Sequence, residues 1–409
     1  MKVLISNVGS TSLKFKLYGM PEEKVFCEAK IERVGSTTDA IYYYKNTETG
    51  YTVQKDKMSI PSYTDGIKTF LSSMTSAETK VIDDIHDIEA IGFKTVLAKG
   101  YYGVHELSED VMGAMKAYQF VAPAHNGPYL EAIEQFKAVL PQTKMVGVFE
   151  TAFHSTIPLE RRIYALPYEW YEKYGIMRMG YHGASHSYVA NQAAKDPGPS
   201  ERIISCHLGG SCSICAIEKG KSVDCSFGFS LQTGIPHANR SGDADPYIIP
   251  FLHNEGLEMD EIMKGFDKRG GLLGVSGVSS DMREIKSAAE TGNKRAKLAI
   301  DMFVCNIVRY IGAFYAELGG LDKLVFTGGI GEKSALIRAL VCRSLRNMGV
   351  GLDEQINMET IGTGCISKHE SKIRVLVISA NEELGVARET YKCIFDQKNQ
   401  MNIFNYSDS

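Results

Sequence analysis

Residues 1–18 read MKVLISNVGSTSLKFKLY, and this stretch decides the expected fold. Met1–Ser6 is apolar and β-branched, which favours a strand. Asn7–Ser12 consists mainly of the small polar residues of turns, and Leu13–Tyr18 then alternates apolar and polar side chains as a second strand does. The segment therefore predicts two strands joined by a short polar turn.

The same order of apolar strand and glycine-rich or polar turn recurs three times further along the chain. One copy, from Ile203 to Glu218, repeats the strand–turn–strand pattern around Gly209-Gly210-Ser211. In the other two copies a helix follows the turn. These copies are Leu324–Thr327, followed by Gly328-Gly329-Ile330-Gly331 and a helix, and Val375–Ser379, followed by Asn381 as an N-cap and a helix from Glu382 towards Ile394.

A long helix is expected between the second and third copies. Apolar residues recur at helical spacing from Ile300 to Leu318, and Gly319-Gly320 follows as a stop signal. Strands mixed with such helices indicate an α/β chain. The two strand–turn–strand copies further suggest a duplication around a cleft.

Composition narrows the class of protein. The chain has 409 residues, which favours two to three domains, and its net charge of −4 excludes a protein built mainly to hold nucleic acid. No apolar run approaches the length of a membrane span, and the first residues carry no secretory signal, so we expect a cytoplasmic protein without a membrane partner. Nine scattered cysteines, an odd number, favour reduced thiols over a disulfide framework.

The glycine-rich turns suit phosphate binding, because a backbone without Cβ atoms can approach an anion and present successive N–H groups to it. None of the turns is a Walker A loop, and none shows G-x-G-x-x-G opening a helix after a strand. A single such turn is weak evidence. Three of them at the ends of apolar strands, two with adjacent hydroxyls, favour a nucleotide site.

Several motifs of this sequence resemble those of the acetate kinase family, and they occur in the family's order from residue 1 to about residue 395. They are Asn7-Val-Gly-Ser-Thr-Ser-Leu-Lys14, Phe149-Glu-Thr-Ala-Phe-His154, Gly180-Tyr-His-Gly-Ala-Ser-His186, Asn239-Arg-Ser-Gly-Asp-Ala-Asp-Pro246, Thr327-Gly-Gly-Ile-Gly-Glu-Lys-Ser334 and Asn381-Glu-Glu-Leu384.

The resemblance implies an α/β fold of two duplicated ribonuclease-H-like domains, of the actin and sugar-kinase ATPase type, with an interdomain cleft. Residues 1–152, joined by a C-terminal helix at about 384–409, form the expected first domain, and residues 153–383 form the nucleotide-binding domain. ATP and Mg²⁺ are the implied cofactors, a small carboxylate and a nucleotide the implied ligands, and a homodimer the implied assembly.

The resemblance also assigns roles to individual residues. The implied catalytic residues are Lys94, Glu150, His182 and Arg240. The implied nucleotide contacts are Asn7, Ser10, Ser12 and Lys14 in the first phosphate loop, His207, Gly209, Gly210 and Ser211 in the second, and Gly328, Gly329, Gly331 and Glu332 at the adenosine. Asn7 and Glu382 are the implied Mg²⁺ ligands, and Val96, Ala124, Tyr181 and Leu231 the implied acyl pocket.

Some of these positions depart from the family's pattern. Lys94 replaces an arginine and so lacks the guanidinium fork, whereas Glu150 replaces an aspartate and reaches one methylene further. The two changes could compensate each other geometrically. Ala124 stands where leucine is usual, which removes roughly three carbons from the pocket wall, and the sequence before Arg240 is Pro236-His237-Ala238-Asn239 in place of Met-Met-Gly-Thr.

Simpler interpretations compete with these roles. His182 and His186, at i and i+4, could ligate zinc on a helix, although the neighbouring glycines argue against it. Cys212 and Cys215 could form a metal knuckle, but on an alternating strand they point to opposite faces. Glu382 and Glu383 could serve only the helix dipole.

The resulting expectation is an ATP- and Mg²⁺-dependent kinase that converts acetate to acetyl phosphate reversibly. A propionate or butyrate kinase is the alternative of the same class. A catalytically weak relative that only binds nucleotide is the alternative of another class, and a sugar kinase is disfavoured by the motifs around His182 and Arg240.

Overall fold

The computed structural model describes residues 1–9, 11–119, 121 and 123–395, without the side chains of residues 123–125. Its strands are β1 (Lys2–Val8), β2 (Ser12–Gly19), β3 (Lys24–Glu32), β4 (Ser36–Asn46), β5 (Thr52–Ile60), β6 (Ala90–Phe93), β7 (Val104–Glu106), β8 (Lys144–Val148), β9 (Arg202–Leu208), β10 (Cys212–Glu218), β11 (Lys221–Cys225), β12 (Lys323–Thr327), β13 (Gly364–Cys365) and β14 (Arg374–Val377).

The helices are α1 (Tyr63–Thr75), α2 (Glu109–Ala117), α3 (Pro123–Val139), α4 (Leu159–Arg162), α5 (Tyr168–Tyr174), α6 (Gly183–Ala193), α7 (Ile248–Asn254), α8 (Met259–Asp267), α9 (Gly271–Ser276), α10 (Met282–Glu290), α11 (Lys294–Glu317), α12 (Gly328–Lys333), α13 (Ala335–Ser344), α14 (Glu354–Glu359) and α15 (Glu382–Phe395). Short 3₁₀ turns lie at Ile85–Asp87, Ala152–Thr156 and Arg346–Met348.

The chain forms two compact units. The first, unit 1, contains Met1–Ala152 and the segment that begins at Asn381, and the second, unit 2, contains Phe153–Ala380. Unit 1 holds an eight-stranded sheet in the order β5-β4-β3-β2-β1-β6-β8-β7, and unit 2 a six-stranded sheet in the order β11-β10-β9-β12-β14-β13.

The two sheets share one topology. Six strands of unit 1, β3-β2-β1-β6-β8-β7, match the whole sheet of unit 2 position by position. In both, two antiparallel steps are followed by two parallel steps and a last antiparallel one. The predicted α/β fold with duplicated domains is therefore confirmed.

Helix α11 is the core helix of unit 2, and its buried side chains continue the predicted spacing through Phe314. It begins earlier than the apolar pattern, at Lys294, because the Asn293 side chain accepts hydrogen bonds from the N–H groups of Arg295 and Ala296. By length and composition alone α11 could cross a membrane, yet eight of its side chains are buried against the rest of unit 2. Those side chains belong to the hydrophobic core of unit 2.

Strands β9 and β10 alternate between two hydrophobic layers. Cys212 packs in the layer that contains α11, whereas Cys215 packs in the layer that contains Val189 of α6. Both are buried free thiols. The predicted opposite orientation of the two cysteines is thus observed, and it prevents them from sharing one metal ion.

Candidate active site

The first turn, between β1 and β2, is a tight hairpin in unit 1. The Gly9 N–H donates to the Ser12 carbonyl (2.8 Å), and the Tyr63 hydroxyl donates to the Gly9 carbonyl (2.7 Å). Asn7 pairs across the strands with Lys14, whose side chain is exposed. Ser10, the remaining predicted contact of this loop, lies outside the described residues.

Tyr129 of α3 supports this turn and was not predicted as a site residue. Its buried hydroxyl accepts a hydrogen bond from the Val8 N–H (3.2 Å) and donates one to Asn7 Oδ1 (3.2 Å). This pair of bonds fixes the orientation of the Asn7 amide. Nothing in the sequence around Tyr129 marks this residue as a partner of Asn7, which lies 122 positions earlier.

Three charged side chains meet at the carboxyl ends of β6 and β8. Lys94 Nζ lies 2.7 Å from Glu150 Oε1 and 2.6 Å from Glu382 Oε2, with the side chains of Lys94, Glu150 and Glu382 only 16%, 7% and 19% exposed. Because β6 and β8 are parallel neighbours, the residues just after them reach the same edge, and the Glu150 N–H donates to the Thr95 carbonyl (2.9 Å). The structure therefore brings Lys94 and Glu150 together and adds Glu382 to them.

The charge of Lys94 is secured by its neighbours. Burial alone would lower the pKa of Lys94, but the carboxylates of Glu150 and Glu382 outweigh burial and raise this pKa well above its usual value. Glu382 reaches the cluster from the first turn of α15, where the Asn381 side chain accepts from the Leu384 N–H (3.2 Å) as predicted for an N-cap. A dipole role for Glu382 is thus not its whole function, since it also pairs with Lys94.

The oxygen donors of unit 1 fit a magnesium ion that is completed by phosphate. Among the described residues no three His, Cys, Asp or Glu side chains converge on one point, so this part of the chain forms no all-protein metal cage. Mg²⁺ in nucleotide enzymes takes one or two carboxylates together with phosphate oxygens and water. Glu382 offers a carboxylate, and Asn7 Oδ1 keeps a second lone pair beside its bond from Tyr129.

In unit 2 the second and third turns lie side by side, because β9 and β12 are parallel neighbours. Gly328 has φ +75°, and a Cβ there would lie 2.8 Å from the Leu208 carbonyl oxygen, so only glycine fits this close approach. The Ser211 and Thr327 hydroxyls are buried without a hydrogen-bond partner. Such polar atoms in a turn favour an additional ligand.

A cavity of about 740 Å³ opens between these turns and α10. Its walls include Gly209, Gly210, Gly329, Asp281, Arg283, Lys286 and Lys333. The backbone of the predicted loop residues Gly331 and Glu332 is fixed by Arg338. This buried side chain donates to both of their carbonyl oxygens (2.9 and 2.7 Å). Asp281, Arg283, Lys286 and the role of Arg338 escaped the sequence analysis, because the first three resemble an ordinary helix start and Arg338 an ordinary position on a helix face.

His182 and His207 stack on each other beside the second turn. Their ring centroids are 4.1 Å apart, and His182 has a left-handed backbone (φ 59°) at the start of α6. His182 Nδ1 is hydrogen-bonded to Ser213 Oγ and His207 Nδ1 to Ser185 Oγ, each at 2.8 Å. Both nitrogens of the buried His186 bond to serines, which fits a structural role better than the zinc interpretation.

The loop that carries Arg240 is fixed through its backbone. The Ala238 N–H donates to the Gly210 carbonyl (3.1 Å), and the Gly270 N–H donates to the Asn239 carbonyl (3.1 Å). Gly271, with φ +59°, approaches so closely that a Cβ would lie 2.6 Å from the Arg240 carbonyl oxygen. The Arg240 side chain donates from Nη1 to the Leu231 carbonyl (2.5 Å).

His237 occupies the layer behind Arg240. Its Nδ1 accepts from the Cys212 N–H (2.9 Å), and Phe227 stacks on its ring at 5.3 Å. Burial, followed by the charge of Arg240, lowers the pKa of His237 to about 3. The imidazole is therefore neutral at physiological pH.

We predict that His237 makes the protein sensitive to acid. Unfolded histidine has a pKa near 6.5, so as the pH falls from there towards 3 the unfolded chain takes up a proton that the folded site excludes, and the free energy of unfolding decreases. By pH 5 this amounts to about 2 kcal/mol. Thermal unfolding at pH 7.5 and 5.0 should show a smaller acid shift for His237→Met than for the unsubstituted protein; equal shifts would contradict the prediction.

The predicted acyl-pocket residues divide between the units. Val96 is buried in unit 1, and the side chain of Ala124 lies outside the described residues. Tyr181 is buried in unit 2, where its hydroxyl donates to the Phe229 carbonyl (2.7 Å), so the hydroxyl that tyrosine adds has a partner. Leu231 is partly buried and contributes the carbonyl that orients Arg240.

Known proteins resemble this chain over almost its whole length. The acetate kinase of Coprothermobacter proteolyticus is 41% identical over 400 residues, which are 96% of this chain and 99% of that protein. The crystal structure of Porphyromonas gingivalis acetate kinase has a TM-score of 0.85 at 37% identity and covers 96% of this chain and 99% of its own. A propionate kinase from Francisella tularensis has a TM-score of 0.87 at 33% identity, with coverage of 96% and 100%.

Duplicated ribonuclease-H-like units with glycine turns at the carboxyl ends of parallel strands define a phosphotransferase of the actin and sugar-kinase ATPase type. The family model described as the acetokinase family matches residues 2–388. The chain belongs to the acetokinase family, whose members are phosphotransferases with a carboxylate acceptor. The resemblance seen in the motifs is thereby confirmed.

Proposed function

We propose that this protein is an ATP- and Mg²⁺-dependent acetate kinase, which forms acetyl phosphate and ADP reversibly. The observation that carries the proposal is the cavity of unit 2, whose walls are the two glycine turns and whose neighbouring Ser211 and Thr327 hydroxyls are buried without a partner. The names of the relatives agree with it.

In the proposed reaction a carboxylate oxygen of acetate attacks the γ-phosphorus in line, and the bond to the β-phosphate oxygen breaks as ADP leaves. Arg240, Lys94 and His182 stabilise the negative charge on the transferred phosphoryl group. Asn7, Ser12 and Lys14 bind phosphate in unit 1, and His207, Gly209, Gly210 and Ser211 do so in unit 2. Gly328–Glu332 face the adenosine, and Glu150 holds Lys94 in place through their 2.7 Å ion pair.

Glu382 and Asn7 are the residues that we assign to Mg²⁺. When bound, the ion supplies positive charge to the phosphate oxygens and orients them. The Glu382 carboxylate that we assign to the ion also pairs with Lys94 (2.6 Å).

The acyl range is the first test of this function. With Val96, Ala124, Tyr181 and Leu231 as pocket walls, the small Ala124 predicts that propionate is tolerated better than by a typical acetate kinase. Each buried methylene is worth about 0.8 kcal/mol, or roughly fourfold in kcat/KM. Acyl-phosphate formation from ATP should be measured with acetate, propionate and butyrate, for the natural sequence and for Ala124→Leu.

Ala124→Leu should sharpen the preference for acetate. A steep preference that the substitution leaves unaltered would refute the pocket assignment, and an efficient reaction with longer acids would favour the propionate or butyrate alternative. Nucleotide binding without acyl phosphate from any acid would favour the binding-only alternative.

We further propose a cytoplasmic homodimer. The exposed apolar side chains of Leu166, Tyr168, Trp170 and Tyr174 on and before α5, 42–54% exposed, support a contact surface between copies. Sedimentation velocity tests the assembly directly, because a chain of 45.1 kDa that runs as a monomer at micromolar concentration contradicts it.

A further inference from the structure

One face of the β9–β10 pair carries polar side chains where the pattern of the strands predicts apolar ones. Ser205 and His207 alternate with apolar residues on β9, and Ser213 lies directly opposite His207 on β10. This face packs against α6, which supplies His186. Ser205, Ser213 and His186 are completely buried.

These side chains form one continuous chain of hydrogen bonds that ends on His182. Ser213 Oγ lies 2.8 Å from His182 Nδ1 and 2.8 Å from His186 Nε2. On the far side of its ring, His186 Nδ1 lies 2.9 Å from Ser205 Oγ. In this order the chain is His182, Ser213, His186 and Ser205.

The chemistry of the groups leaves this chain two consistent directions. A hydroxyl donates one hydrogen bond while it accepts another, and a neutral imidazole has one N–H and one acceptor nitrogen. If His186 carries its proton on Nε2, Ser213 donates to His182 Nδ1; if His186 carries it on Nδ1, Ser213 donates to His186 and accepts from His182. Both directions give a partner to Ser213 Oγ, His182 Nδ1 and both ring nitrogens of His186.

His186 is suited to such a reversal because it remains neutral. Burial, followed by the charges of His154 and His207, lowers its pKa well below the usual value. Among the described residues, the titratable groups that face the chain are His154, His207 and, through Ser222, Cys215, with His237 behind Phe227.

We propose that Ser213, His186 and Ser205 are positioning residues that allow His182 to gain and lose a proton without leaving a ring nitrogen of the chain unpaired. The inference rests on the proposed function, in which His182 faces the transferred phosphoryl group and its negative charge. Neutral His182 has its proton on Nε2 and accepts from Ser213. Charged His182 donates from Nδ1 to Ser213, and the direction of the whole chain is reversed.

The protons balance in this change. Ser213 gives its hydroxyl proton to His182 Nδ1 and receives the proton of His186 Nε2. Ser205 gives its hydroxyl proton to His186 Nδ1 and takes one proton from solvent in return, so that His186 Nδ1–H then donates to Ser205. His186 thus changes its tautomer but not its charge, and the net uptake is the single proton that His182 gains.

The test is ¹⁵N NMR of the full chain labelled at histidine, with His182 and His186 assigned from His182→Gln and His186→Gln spectra. Over the pH range in which His182 gains its proton, the two ring nitrogens of His186 should exchange their protonated and unprotonated shifts. Ser213→Ala should abolish that coupling, and Ser213→Thr, which keeps the hydroxyl, should retain it. Ser222→Ala is the matched control, because this equally buried serine bonds His154 (2.9 Å) instead.

His186 nitrogens that stay constant while His182 titrates would overturn the proposal, as would coupling that survives Ser213→Ala. Ser205→Ala provides a second arm if Ser213→Ala does not fold. Both forms of His186 then lose their partner at Nδ1, the Nδ1–H form an acceptor and the Nε2–H form a donor. Because a buried N–H without an acceptor is tolerated less well than an unpaired acceptor, His182 should release its added proton at a lower pH, and an unchanged titration overturns the proposal.

Steady-state kinetics can distinguish a positioning role of Ser213 from a purely structural one. Ser213→Ala should lower kcat by about ten- to a hundredfold, less than the loss of a whole donor, while the KM for ATP stays constant. A rise in KM alone would contradict the assignment. If the natural sequence forms no acyl phosphate, the proposed function fails, but the NMR coupling still decides whether the relay exists.

Discussion

Arg240→Ala should lower kcat by about 10²–10³-fold and leave nucleotide affinity nearly unchanged. The reason is geometric: the Arg240 backbone is held by Gly270, Gly271 and neighbouring carbonyls, so removal of the side chain leaves the loop in place. The side chain is oriented by its bond to the Leu231 carbonyl and would act on charge that develops only in the transition state. Steady-state kinetics together with calorimetric titration of ADP provide the measurement.

Arg269→Ala is a suitable control for the Arg240 variant. Arg269 belongs to the segment that supports the loop, but its side chain is 58% exposed and makes surface contacts with Glu261, an ion pair with the carboxylate and a hydrogen bond to the carbonyl (3.2 Å). Its turnover should stay within about twofold of the natural sequence, as is usual for surface changes. A turnover of Arg240→Ala that matches this control would remove Arg240 from the catalytic set.

The second large effect is expected from Lys94→Met. This variant leaves the carboxylates of Glu150 and Glu382 buried without their shared cation, which typically costs about 3–5 kcal/mol of stability. Because its pKa is raised, Lys94 contributes fully below the usual lysine value of about 10.4 and loses its effect only at higher pH. Denaturant unfolding at pH 7.5, where the lysine of the natural sequence is charged, measures this destabilisation.

Neutralising one carboxylate should reverse part of this loss. Lys94→Met with Glu382→Gln should be more stable than Lys94→Met alone, whereas simple loss of packing around the lysine stem predicts no recovery. A cycle of Lys94→Arg and Glu150→Asp tests the compensation between the two departures, with a coupling of about 0.5–3 kcal/mol expected. Additive effects would show that the two residues changed independently.

Much of the fold could be predicted because local patterns coincide with the final structure. Strand alternation in residues 1–18 and the glycine turns correctly indicated β1, β2, β9 and β10. The helix that begins at Glu382 was likewise marked by Asn381. The start of α11 at Lys294 was not predicted, because its first turn is mostly exposed and is marked by the Asn293 cap rather than by an apolar run.

The site was only partly predictable, because its residues meet through tertiary structure. Lys94 and Glu382 are 288 positions apart, and their contact depends on the order of β6 and β8 and on the start of α15, which periodicity does not reveal. Ser205 and Ser213 resemble packing serines in apolar strands, so nothing marked them as partners of histidines. In the sequence, Asp281 resembles an ordinary helix N-cap and Arg283 an ordinary surface charge. Only the structure shows that both line the cavity.

The two carboxylates that pair with Lys94, those of Glu150 and Glu382, also affect the chemical reactivity of the lysine. Acyl phosphates acylate free amines, so an unprotonated lysine in the site would attack the carbonyl carbon of the proposed product, displace phosphate and become acylated. Only the neutral amine is nucleophilic, and Glu150 and Glu382 hold Lys94 as the ammonium. Each unit by which they raise the pKa reduces the free-amine fraction tenfold. Lys94, which replaces the family's arginine, should therefore resist acylation by the acyl phosphate that the enzyme forms. Peptide mapping after prolonged turnover should find the exposed lysines acylated before Lys94.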